Sequence, residues 1–224
     1  MDIPLARLRL RNRIIGMFPG LASAWERFRF AQVELKRYET EGFGGALPPV
    51  LKRAVIRKIA LQNALTSFVE TGTYLGDTPW RLRDVFDEIH TIELSPVLSA
   101  FAKQRFKDFP KIHVYQGDSG ELMAEVVRKL RTPTCFWLDS HWSAGFTAKA
   151  KMNCPILREL EAIFQNCNVP YAILIDDAAD FGGADDYPMM EHLIEFIARH
   201  NSSLRVFVEN NIVSGLPPVK QAKA

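Results

Sequence analysis

From residue 66 onward, short apolar β-type runs alternate with segments of helical period, and that alternation most restricts what this 224-residue chain can become. Strands are predicted at 66–70, 89–93, 112–116, 134–138 and 171–175. Helices are predicted between them from apolar residues at i, i+3, i+4 and i+7. The first carries Leu82, Val85, Phe86 and Ile89, and the second starts at Ser95-Pro96 and buries Leu98, Phe101, Ala102 and Phe106. A third covers roughly 120–131, a fourth 155–166 and a fifth 188–199. Strands separated by helices must run parallel, because a parallel neighbour is reached only through a crossover. The end of the chain breaks the rule. Leu204–Glu209, then Asn210-Asn211, then Ile212-Val213 reads as an antiparallel hairpin, since Asn tolerates the left-handed backbone of a tight turn. The expected fold is α/β, a doubly wound, mostly parallel Rossmann-like sheet closed by that hairpin.

The ligand site of such a sheet lies outside the carboxyl ends of its strands. The first strand there runs into Phe68-Val69-Glu70-Thr71-Gly72-Thr73-Tyr74-Leu75-Gly76-Asp77-Thr78. Gly72 and Gly76 are expected to let backbone pass close to a ligand. Thr78 is expected to cap the next helix, with Pro79 at its first position. A dinucleotide site uses G-x-G-x-x-G. Here the pattern is E-x-G-x-x-x-G, and a carboxylate at Glu70 suits a cationic ligand better than a pyrophosphate. Glu93 ends the second strand, 17 residues after Gly76. Gly117-Asp118-Ser119 follows the third, where Asp and Ser would also serve as helix N-caps. The fourth gives Asp139-Ser140-His141 and the fifth Asp176-Asp177. Carboxylates that converge repel unless protons or a cation intervene, and a hard divalent ion with oxygen ligands answers that. His141 lies two residues past Asp139 and has the pKa range of a base at neutral pH.

These motifs, with the closing hairpin, resemble class I S-adenosylmethionine-dependent methyltransferases over about 66–217, in particular the macrocin-type sugar O-methyltransferases. The resemblance implies that Glu70, Gly72, Thr73, Gly76, Glu93, Asp118 and Ser119 bind S-adenosylmethionine. Glu93 would take the ribose hydroxyls and Asp118 the adenine amino group. It implies a metal held by Asp139, Asp176 and Asp177, with Mg²⁺ the natural ion. Asp139 and His141 would be catalytic, although the macrocin-type enzymes place an acid where His141 stands. The implied reaction is methyl transfer to a hydroxyl of a sugar, glycan precursor or natural product. Two readings from other classes compete with it: a nicotinamide-linked oxidoreductase, disfavoured by the missing G-x-G-x-x-G, and a non-catalytic scaffold in glycan assembly.

Residues 1–65 are expected to form a helical extension before a domain at 66–224. The charge is uneven: residues 1–66 hold 12 Lys/Arg against 5 Asp/Glu, and 67–224 hold 16 against 21. The basic, amphipathic first 36 residues suit packing on the domain, a homodimer surface, or peripheral contact with an anionic membrane. With a net charge of only +2, no general affinity for nucleic acid is expected. No run approaches the ~20 apolar residues of a membrane span. Cys135, Cys154 and Cys167 lack metal-ligand spacing and read as reduced thiols of a cytoplasmic protein. His90, His113, His192 and His200 read as surface or structural. The loop 143–149 with Lys149 and Lys151, and the acidic loop 178–187, would border the acceptor.

Overall fold

The computed structural model describes residues 47–139, 154–184 and 186–218. The chain divides into two compact units, Met1–Lys52 and Arg53–Ala224. The helical expectation for residues 1–46 lies outside the described residues, as does the basic segment 1–36.

Seven strands form one sheet. They are β1 (Ser67–Thr71), β2 (Glu88–Glu93), β3 (Ile112–Gln116), β4 (Thr134–Leu138), β5 (Tyr171–Ile175), β6 (Arg205–Glu209) and β7 (Ile212–Leu216). Their order across the sheet is β3-β2-β1-β4-β5-β7-β6. β1 to β5 pair in parallel, and β7 inserts antiparallel between β5 and β6. The fold is therefore Rossmann-like, with a mixed seven-stranded sheet ending in the expected hairpin. Asn210 and Asn211 sit at φ 55° and 59°, the positive values that a two-residue hairpin turn of this hand requires.

The helices are α1 (Pro49–Gln62), α2 (Asp77–Leu82), α3 (Pro96–Phe106), α4 (Ser119–Lys129), α5 (Ile156–Asn166) and α6 (Met190–His200). β1 and β4 are buried at every position, as strands covered on both faces must be. On one side, Val69, Phe136 and Ile173 pack with Met123 and Val126 of α4, Leu160 and Ile163 of α5, and Leu193 and Ile197 of α6. Phe68, the residue before Val69, points the other way and stacks on Phe86 at 5.0 Å.

The first crossover departs from expectation. Leu82, Val85, Phe86 and Ile89 do not share a helix: α2 stops at Leu82, Phe86 lies in the connection, and Ile89 belongs to β2. The apolar period carried on past the helix because Phe86 and Ile89 are buried by the sheet. The start of α2 differs too. Gly76, at φ 73°, occupies the N-cap, Asp77 is the first helical residue, and no side chain caps the helix. Thr78 turns its hydroxyl to the Glu70 carboxyl instead. Ser95 does cap α3, accepting from Leu98 N–H at 3.4 Å with Pro96 at the first position.

Candidate active site

Order reversal between β1 and β4 creates a switch point, where sheets of this kind leave a crevice. The two strand ends are tied across it: Asp139 N–H donates to Thr71 Oγ1 at 3.2 Å. On the β2 side lies the glycine turn. Thr91 Oγ1 donates to Glu70 Oε2 at 2.7 Å, and Thr73 Oγ1 is 2.6 Å from Thr91 Oγ1. One hydroxyl carries one proton, so Thr73 donates to Thr91 and Thr91 to Glu70. Glu70 is 2% exposed, and burial pushes its pKa from 4.5 to about 8 despite the Thr91 and Thr78 bonds. Without a bound cation, burial therefore favours the neutral form of the side chain.

Glu93 closes β2 and is buried. Its Oε2 accepts from Tyr74 N–H and its Oε1 from Ser95 N–H, each at 2.8 Å. One carboxylate thus fixes both the glycine turn and the start of α3. Each oxygen keeps a second lone pair for a ligand. Burial raises the Glu93 pKa. Gly72, at φ 85°, adopts a conformation costly for any residue with a Cβ. At Gly76, at φ 73°, a Cβ would sit 2.7 Å from the Phe106 ring, so its missing side chain also makes room for α3. Asp118 is the N-cap of α4 and accepts from Gly120 N–H at 2.9 Å, while Ser119 is buried as the first residue of that helix.

The structure brings Asp139, Asp176 and Asp177 together. One oxygen from each lies within 4.8 Å of the others. Asp176 is 3% exposed and accepts from Asp177 N–H at 2.8 Å. Asp177 takes the left-handed conformation at φ 51°, which turns the chain sharply after β5. An all-oxygen, all-carboxylate set of this kind fits a hard divalent cation such as Mg²⁺. His141, Lys149 and Lys151 lie outside the described residues.

Two neighbours of the acids go beyond the sequence reading, which placed Tyr187 only in the loop 178–187. Asn211, read only as a turn former, uses its side chain on the site: Nδ2 donates to Asp177 Oδ1 at 3.3 Å and Oδ1 accepts from Ala179 N–H at 2.7 Å. Its backbone carbonyl accepts from Ala178 N–H at 2.9 Å. Tyr187 lines a small pocket with Asp176, Glu159, Phe181 and Leu138. Burial, reinforced by Cys154 and the nearby acids Asp180, Asp177 and Asp139, pushes its phenol well above the usual range. Cys135 is buried and its thiol is pushed up to about 12, so it is an inert core residue. No described helix is long and apolar enough to cross a membrane.

No protein-family model matches the sequence, and no curated protein does. Solved structures do share the fold. A protein assigned as a caffeoyl-CoA O-methyltransferase from Staphylococcus aureus superposes with a TM-score of 0.54 at 15% identity, covering 92% of this chain and 98% of the other. An O-methyltransferase from Bacillus cereus in complex with S-adenosylhomocysteine gives 0.53 at 13% identity, covering 74% and 80%. A methyltransferase from Podospora anserina, also bound to S-adenosylhomocysteine, gives 0.51 at 16% identity, covering 83% and 85%. The fold is that of S-adenosylmethionine-dependent methyltransferases.

Proposed function

We propose that this chain is an S-adenosylmethionine-dependent O-methyltransferase, assisted by a divalent metal and acting on a hydroxyl of a sugar, glycan precursor or natural product. The observation that carries the reading is the meeting of three acids with the glycine turn at one switch point. Glu93 binds the ribose hydroxyls, while the turn Gly72-Thr73 to Gly76, with Glu70 beneath it, receives the sulfonium end. Asp118 and Ser119 border the adenine. Asp139, Asp176 and Asp177 hold the ion, Mg²⁺ by the chemistry of the donors. When bound, that ion lowers the pKa of the acceptor hydroxyl and offsets the charge on its oxygen. His141 takes the hydroxyl proton, and the methyl group passes from sulfonium to oxygen, leaving a neutral thioether. The protein's largest contribution is alignment of the two reactants. The pocket between Tyr187 and Asp176 belongs to the acceptor side.

Calorimetric titration with S-adenosylhomocysteine, in Mg²⁺ and then in EDTA, tests this. Micromolar affinity that survives chelation is expected, with a loss of roughly 10- to 100-fold in Glu93→Ala from two missing charge-assisted hydrogen bonds. No binding under either condition would overturn the reading.

A further inference from the structure

A second group of ligating side chains stands away from the strand ends. Glu88 opens β2, His90 follows two residues on along the same face, and the β2–β3 register sets His113 directly opposite His90. One carboxylate oxygen, Glu88 Oε1, lies 3.3 Å from His90 Nε2 and 3.3 Å from His113 Nε2. One ligand atom from each residue lies within 4.8 Å of the others. The two imidazoles stack at 4.9 Å with 23° between their planes, so both offer Nε2 to the same carboxylate.

His90 is 1% exposed, yet its Nε2 makes no hydrogen bond. Charge-assisted N–H···O contacts close to about 2.7–2.9 Å, well inside the separation seen here. The other nitrogen, Nδ1, is 3.0 Å from the Tyr115 hydroxyl. The Nε2 atoms of His90 and His113 and the Glu88 Oε1 thus gather around one point on the β2–β3 edge, a compact set of two imidazoles and one carboxylate.

Zinc suits a donor set of two imidazoles and one carboxylate. Zn²⁺ binds imidazole nitrogen and carboxylate oxygen at about 2.0–2.1 Å, and tetrahedral geometry then sets neighbouring ligand atoms about 3.3–3.4 Å apart. Both Glu88–His separations have that length. Tyr115 would be the hydrogen-bond partner that fixes the tautomer of a ligating histidine. We propose that Glu88, His90 and His113 form a zinc site that clamps the edge strand β3 to β2. Glu88 and His90 precede Glu93 by five and three residues, which places them roughly 10–16 Å from the strand end. The clamp is therefore separate from the acid cluster, and its fourth position faces solvent beside the half-exposed Glu88 and His113.

The test is zinc titration of the full chain, first stripped with chelator, against a chromophoric competitor. Wild type, His113→Ala, Glu88→Gln and Asp176→Asn are compared. Both substituted clamp side chains are about 40% exposed, so the variants should fold, and circular dichroism confirms it. One tight zinc is expected in wild type and in Asp176→Asn. His113→Ala and Glu88→Gln should lose at least about 100-fold in affinity. Cobalt substitution should give intense tetrahedral visible bands in wild type that disappear in His113→Ala. Absence of zinc uptake, uptake unchanged by both clamp variants, or uptake lost only in Asp176→Asn would each overturn the proposal.

Discussion

Asp176→Asn is expected to lower kcat about 1,000-fold while S-adenosylhomocysteine binding stays within about threefold, because, with the three acids holding the proposed ion, removing one of their charges costs several kcal/mol in the transition state alone. The substitution is mild for the fold. Asp176 Oδ1 accepts the Asp177 N–H, and an asparagine keeps an oxygen for that bond. Asp139, at the end of the adjacent strand, keeps its tie to Thr71. In the proposed function cofactor binding depends on Glu93 and the glycine turn, on the other side of the switch point. Turnover and calorimetry on the same preparation separate the two effects. An equal loss of both would remove the acids from metal binding and make them a structural cluster.

The second large effect concerns stability, in Glu70→Gln. In the folded protein Glu70 keeps its proton up to about pH 8, against an ordinary value of 4.5. A group whose pKa is raised on folding stabilises fully below its unfolded value, and that contribution is lost as pH rises toward the folded value. Glu70 alone should therefore cost about 1.4 kcal/mol per pH unit between roughly 4.5 and 8. His90 works in the opposite sense. Its pKa is lowered from 6.5 to about 4, so its contribution is complete above about 6.5 and lost as the medium is acidified. The two slopes oppose each other in mildly acid solution, while Glu93, also raised by burial, adds to the Glu70 slope. A glutamine at this position cannot ionise and still offers Thr91 an acceptor. Urea unfolding should show the variant near wild type at pH 5 and more stable by about 3–4 kcal/mol at pH 8. Parallel stability curves would mean that Glu70 is already ionised in the folded protein.

The sheet was legible because each strand is a short apolar run bounded by turn residues, and β2 to β5 coincide with expectation within a residue. The hairpin was legible from Asn210-Asn211 set between the runs Leu204–Glu209 and Ile212-Val213. Local pattern misled where two burials overlap. Phe86 and Ile89 extend a helical period only because the sheet, not α2, covers them. Thr78 has the chemistry of a cap, but Glu70 competes for its hydroxyl, and that competitor is supplied by the preceding strand rather than by the helix. The convergence of Asp139, Asp176 and Asp177 could be read because each follows a recognisable strand. The protonation of Glu70 could not, since it depends on burial by the rest of the fold. Glu88, His90 and His113 went unread as a set because only the β2–β3 register joins residues 23 positions apart. The period-two pair Glu88/His90 was the one local signal.

Asn211 places two demands on one codon. A hairpin turn of this kind is best served by glycine at its second position, which would relax the φ of 59°. Glycine would also release Asp177 and the backbone after β5 from the side chain that now holds them. The geometry of the turn and the order of the acid cluster therefore favour different residues at position 211. The asparagine there serves the cluster with its side chain while accepting the left-handed backbone of the turn.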